Sequence, residues 1–248
     1  MIIKLRIVLL LIVFQGFISC GEDAPECFRR AGNTIRYEIP VEGFSSIHIS
    51  EGIELVIKEG SETRVTVETG ENIREYIYAG VIDGELRLTN RNNCNWVRDY
   101  NITTVYVTAP QLEKIYSASQ FAVRSQGVLS YPSLSLQSGI FSETASGTFE
   151  LDVNIQHLIV EDNQAAYYLI DGSVENLSVN FYAGDSRFEG SNLIAQKVQV
   201  FHRSSNDIIV NPQHEIIGAV YSTGNLVLKN EPPVIDVEVL YTGNVIVE

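Results

Sequence analysis

The stretch Val198-Gln199-Val200-Phe201-His202-Arg203-Ser204-Ser205-Asn206-Asp207-Ile208-Ile209-Val210 decides the fold. It opens on two apolar residues spaced by one polar residue, turns through small polar residues, and closes on a second apolar run. A period of two means a strand with one buried face. The same plan recurs upstream and downstream. Apolar pairs stand at Leu112/Ile115, Leu134/Leu136, Leu158/Val160 and Leu177/Val179, with further copies beginning near Ile217 and Ile235. Small or turn-forming residues follow at Ser138-Gly139, Ala183-Gly184-Asp185, Thr223-Gly224-Asn225 and Thr242-Gly243-Asn244. Second short runs then appear at Leu226-Val227-Leu228 and Val245-Ile246-Val247.

A repeat of roughly 18 to 24 residues is the signature of stacked coils. One such unit cannot bury its apolar side chains, but stacking places equivalent positions in ladders around a shared interior. The corners must be small because neighbouring coils lie only about 4.8 Å apart. This predicts an all-β, right-handed parallel β-helix or a close solenoid-like relative, forming a single domain in two parts. A β-sandwich is the competing reading, since short alternating strands fit it too.

Ahead of the repeats, Ile47-His48-Ile49, Ile53 to Ile57, Val65-Thr66-Val67, Leu86-Arg87-Leu88 and Thr104 to Val107 also alternate. Asp83-Gly84 predicts a tight turn, and only Glu71 to Ile77 has helical spacing. The expected division is a domain over 35–248, with N-terminal strands at 35–110 and repeat coils at 111–248.

At the start, Lys4 and Arg6 precede the apolar run Ile7 to Phe14, and Phe17-Ile18-Ser19 lead into Cys20. A basic start, a short apolar stretch and a small residue before the cut predict a signal peptide over 1–19. Cys20 directly after it predicts a lipidated first residue, with 20–34 as a tether. Glu22 and Asp23 beside it fit either a hydrated tether or an export signal to the cell surface. An ordinary signal peptide with a free cysteine is the simpler alternative. Three cysteines are present, so lipidation of Cys20 leaves Cys27 and Cys94 as a pair for a disulfide in an oxidising compartment. The chain-entropy value of such a bridge is about 4 kcal/mol.

The formal charge of −14 becomes more negative by two without Lys4 and Arg6. That excludes nucleic acid as a natural partner, since phosphates demand Lys and Arg, and it disfavours anionic lipid headgroups. Four scattered histidines give no metal-ligand spacing, and no cofactor motif is present.

Several pieces in order resemble one family. They run from Cys27-Phe28-Arg29-Arg30-Ala31-Gly32 through Phe44-Ser45-Ser46-Ile47, Gly52 to Ile57 and Val67 to Ile73. Asp83-Gly84-Glu85-Leu86, Asn93-Cys94-Asn95-Trp96-Val97-Arg98 and the Gly-Asn corners at 224–225 and 243–244 follow. Together they are similar to the putative auto-transporter adhesin, head GIN domain family. The chain departs from it at Ser119-Gln120 and at Asn163-Gln164-Ala165-Ala166, where the family has glycine corners. The resemblance implies a two-part β-helical domain on an outer-membrane lipoprotein, facing the periplasm or the outside, with adhesion as the expected role.

Chemistry offers less. The candidates for a carbohydrate-active site are Glu161-Asp162, Asp185 with Arg187, and His202-Arg203 with Asp207, which read better as solvated turn residues than as converging acids and bases. For binding, Trp96 and Tyr100 would form a sugar platform or pack on a nearby disulfide. Tyr167-Tyr168 and Phe181-Tyr182 each place one ring outward if they lie in strands, and outward rings on adjacent coils would make an interaction patch. The expected function is a non-catalytic binding or scaffold module for a glycan or surface protein. A polysaccharide-active enzyme and a structural or envelope-sensing part, self-associating through exposed coil ends, are the alternatives.

Overall fold

A computed structural model describes residues 29–92, 103–141 and 145–248. The chain is a β-solenoid of about 6 turns, 62% strand. Two parallel ladders run its length. The first ladder contains β2 (Ser46–Ile49), β6 (Glu85–Asn90), β8 (Lys114–Ser117) and β10 (Ser133–Ser138). The second contains β3 (Glu54–Glu59), β7 (Thr104–Ala109) and β9 (Val123–Leu129). Four long strands then serve both ladders: β11 (Thr148–Asp162), β12 (Tyr167–Phe181), β13 (Arg187–His202) and β14 (Ile208–Val220). Their first halves extend the second ladder and their last halves the first. β15 (Leu226–Leu228) and β17 (Val245–Val247) end the second ladder, and β16 (Val234–Val239) ends the first.

Alternation builds both walls. Leu134, Leu136, Leu158, Val160, Leu177, Val179, Val198 and Val200 are all buried, as their period of two requires, and Ser135, Ile159, Ser178 and Gln199 point away. The second ladder supplies Leu55, Val123, Phe149, Tyr168, Phe188, Ile208 and Leu226 from the other side. Phe149 and Tyr168 stack nearly parallel, with centroids 4.8 Å apart. Each fully buried side chain of this kind contributes about 1.5–3 kcal/mol over an exposed one.

The two corners of a coil use different devices. Where a long strand bends from one ladder to the other, two consecutive residues point outward, as Gln156-His157 do between buried Ile155 and Leu158. A doubled outward position slips the alternation by one, so both halves keep an apolar inner face. The return corner instead needs small residues, because the next coil's backbone lies against it. A Cβ on Gly224 would fall inside contact distance of the Asn206 carbonyl. Hydroxyls stitch these corners together: Ser119 donates to the Ile53 carbonyl (2.7 Å), Ser138 to Ser117 (2.9 Å) and Ser204 to Ser186 (2.6 Å). At 120 and 164 glutamines serve. The Gln120 side chain accepts the Gly52 N–H at 3.0 Å, and the Gln164 carbonyl accepts the Asp185 N–H at 2.9 Å.

The N-terminal end departs from simple sequential stacking. β2 and β3 lie between the β6–β7 coil and the β8–β9 coil. The chain therefore enters at the second coil, runs outward, and passes back to the third. The excursion also closes that end. β4 (Arg64–Gly70) pairs antiparallel with β7, β1 (Thr34–Ile39) with β4, and β5 (Ile77–Ile82) with β6. Asp83-Gly84, both at positive φ (51° and 77°), form the two-residue turn between β5 and β6. Glu71–Tyr76 is a 3₁₀ helix that buries Ile73.

Candidate functional site

The outward face of the first ladder carries a ridge of aromatic side chains. Tyr182 follows β12, Phe201 lies in β13, and Tyr221 follows β14. Their centroids are 5.8 Å (Tyr182 to Phe201) and 5.0 Å (Phe201 to Tyr221) apart. The spacing follows from one ring per coil, since stacked strands lie about 4.8 Å apart. Tyr182 and Tyr221 are each about two-fifths exposed (38% and 41%).

Polar partners extend the ridge toward the earlier coils. Tyr182 donates its hydroxyl to Glu161 Oε1 at 2.8 Å, and the Gln137 amide donates to Glu161 Oε2 at 2.7 Å. Partial burial and the Glu161 carboxylate together push the Tyr182 phenol up to about 12, so it stays a donor at neutral pH. Further along, the buried Tyr116 ring packs between His48 (4.6 Å) and Phe141 (5.5 Å), whose ring is 82% exposed. Beside the ridge, Ser178 and Gln199 lie between exposed Ile159 and Ile217 in one row of the same face. The surface is part apolar, which suits stacking on sugar rings or docking of a protein face.

The expected binding residues divide. Tyr182 faces outward on the ridge. Tyr168 and Phe181 do not: both are fully buried, because Ile170 and Val179, each two positions away, are inward. Tyr167 is half-buried on the second ladder, opposite Arg187, and does not join Tyr182. Trp96, Tyr100, Cys20, Cys27 and Cys94 lie outside the described residues. Phe201 and Tyr221 were not picked out from the sequence, although the signal was there for Phe201. With Val198 and Val200 inward, Phe201 must point out and His202 in.

The candidate acids and bases also need correcting, since two of them are not solvated. Asp162 is fully buried and accepts hydrogen bonds from Ser186 Oγ (2.6 Å), the Gln164 N–H (2.6 Å) and Tyr168 OH (2.8 Å). Burial raises its carboxyl above the ordinary value, against the pull of these donors. His202 is fully buried under Phe181, with Nε2 3.2 Å from the Asn225 carbonyl and no partner for Nδ1. Burial holds its imidazole below the ordinary value. Arg203 points to solvent, and Asp207 accepts from the Asn225 N–H and amide. Asp185 is exposed, whereas Arg187 pairs with Glu189 and Asp207. Asp162 and His202 lie inside the wall and Asp185 and Arg203 outside it, while Arg187 and Asp207 form an ion pair at 3.6 Å.

With this geometry in place, the class is an all-β solenoid presenting a flat, aromatic-edged face. The profile described as putative auto-transporter adhesin, head GIN domain matches residues 43–232, and the chain belongs to that family. No curated protein sequence matches the chain. Among solved structures, a putative adhesin from Bacteroides fragilis is similar at 18% identity and a TM-score of 0.79, covering 89% of this chain and 100% of that one. A putative adhesin from Parabacteroides merdae is similar at 13% identity and TM-score 0.67, with 89% and 98% covered. A putative lipid binding protein from Parabacteroides distasonis is similar at 14% identity and TM-score 0.63, with 88% and 100% covered. At these identities the likeness is one of fold.

Proposed function

We propose that the protein is an exported, non-catalytic binding module that uses the Tyr182–Phe201–Tyr221 ridge and its adjoining face to hold a glycan or surface protein. The observation that carries this reading is the ridge itself: three rings on three successive coils, with Tyr182 and Tyr221 exposed and Phe201 half-buried between them, flanked by Ile159, Ile217, Ser178 and Gln199. An extended sugar chain lying along the solenoid axis would meet one ring per coil. Glu161, held by Tyr182 and Gln137, would accept hydroxyl donors beside it. Membership of an adhesin family agrees with this role.

The same reading places the module at the outer membrane on a lipid carried by Cys20, with a Cys27–Cys94 bridge near the tether. Cys20→Ala should leave the protein out of the detergent phase, and partition equal to that of the parent would remove the anchor. The binding claim is tested by displaying the mature domain to glycan and matrix-protein arrays beside a Tyr182→Ser/Phe201→Ser/Tyr221→Ser variant. The parent should bind a subset of the array and the triple variant should lose about tenfold or more, since each stacked aromatic contributes roughly 1 kcal/mol. Equal binding by a variant that melts cooperatively would move the site elsewhere.

A further inference from the structure

The two ends of the solenoid are finished differently. At the N-terminal end antiparallel strands cover β6 and β7. At the other end, β16 pairs only with β14 and β17 only with β15, and no described strand lies beyond them. Their inward positions continue the core rows but stay open to solvent: Ile235 (41%), Val239 (44%) and Val247 (48%). A strand edge left this way carries unpaired N–H and C=O groups and accepts another strand readily.

Charge distinguishes the possible occupants. Inside the stack, some outward carboxylates are met by cations from nearby strands. Arg124 in β9 pairs with Glu54 in β3 and Glu150 in β11, and Lys114 in β8 lies 3.3 Å from Glu85 in β6. Asp236 and Glu238 project outward beside Ile217 and Ala219, and among the described residues no cation reaches either. A second copy pairing edge to edge in antiparallel fashion about Val237 would set Asp236 opposite Glu238, a like-charge contact that disfavours it. The overall charge of −14 opposes it as well.

We propose that β16 is a strand-addition site for an extended segment of another protein, in which apolar residues alternate with Lys or Arg. The apolar residues would cover Ile235, Val237 and Val239, and the basic ones would lie against Asp236 and Glu238. Backbone hydrogen bonds supply affinity in such pairing, and the alternate side chains supply selectivity.

The test uses short peptides of alternating valine with lysine or with glutamate, measured against the folded domain by fluorescence anisotropy. Amide exchange locates the site, and sedimentation measures self-association. The lysine peptide should bind and slow exchange across 234–239, while the glutamate peptide does not. Asp236→Lys/Glu238→Lys should exchange that preference, weakening the lysine peptide about tenfold or more and admitting the glutamate peptide. The proposal is overturned if the lysine peptide binds the charge-reversed protein undiminished, or if protection falls elsewhere. Dimers of the parent with 234–239 already protected would overturn it too, by assigning the edge to a second copy.

Discussion

His202 has no solvent around it, and its Nδ1 atom has no partner, so protonation inside the stack is opposed. Its folded-state affinity for a proton lies below the ordinary value of 6.5. The unfolded chain therefore binds the proton more readily. The stabilisation is full above 6.5 and is lost as pH falls through 6.5 toward the lowered folded value. Asp162 works in the opposite direction. Its raised folded value means a contribution that is full below 3.8 and lost as pH rises through the folded value. His202→Phe should remove the acid-side loss between pH 6.5 and 5 while changing neutral-pH stability by less than about 1.5 kcal/mol. Melting curves across that range check it; a variant whose profile runs parallel to the parent's would assign the sensitivity to other groups. Both residues read as solvated in the sequence because titratable side chains usually are. Yet alternation from Val160 and Val200 already pointed them inward. Partners such as Ser186 and Tyr168, which make a buried Asp162 tolerable, become neighbours only when coils stack.

At the scale of the element, the return corner at Gly184 and the hairpin at Gly84 both use glycine at positive φ, for separable reasons. Gly84 has φ of 77° and open space where a Cβ would go, whereas Gly184 has φ of 85° and the Gln164 carbonyl oxygen at that place. Gly84→Ala should cost about 1–2 kcal/mol, the left-handed backbone penalty alone. Gly184→Ala should cost that and about 1–3 kcal/mol more, because two coils must separate. Equal losses in paired denaturant titrations would contradict the close approach at the corner. The Asn ladder marks the last corners in a second way: Asn225 donates to Asp207 Oδ1 and the Asn244 N–H to Asn225 Oδ1 (3.1 Å). Glycine corners and alternating runs were legible in the sequence since both are local. The placement of β2–β3 between the β6–β7 and β8–β9 coils was not. It depends on pairing between distant segments, and nothing in an individual strand records which neighbour it will meet.

For the whole molecule, register decides what is wall and what is surface. The period is two, so a one-residue slip would exchange the inner rows with the outer ones and bury the ridge. Tyr182, Phe201 and Tyr221 form a surface only because Leu177, Val179, Val198 and Val200 hold the interior. The most direct measurement is a pair of melts, Leu177→Ala against Ser178→Ala. Leu177 is 2% exposed, and its truncation should cost about 2–5 kcal/mol in transfer and cavity terms together. Ser178 points outward beside Ile159 and Gln199, and its change should stay within about 0.5 kcal/mol. Equal losses, or a larger loss at Ser178, would contradict the stacked register and with it the outward ridge.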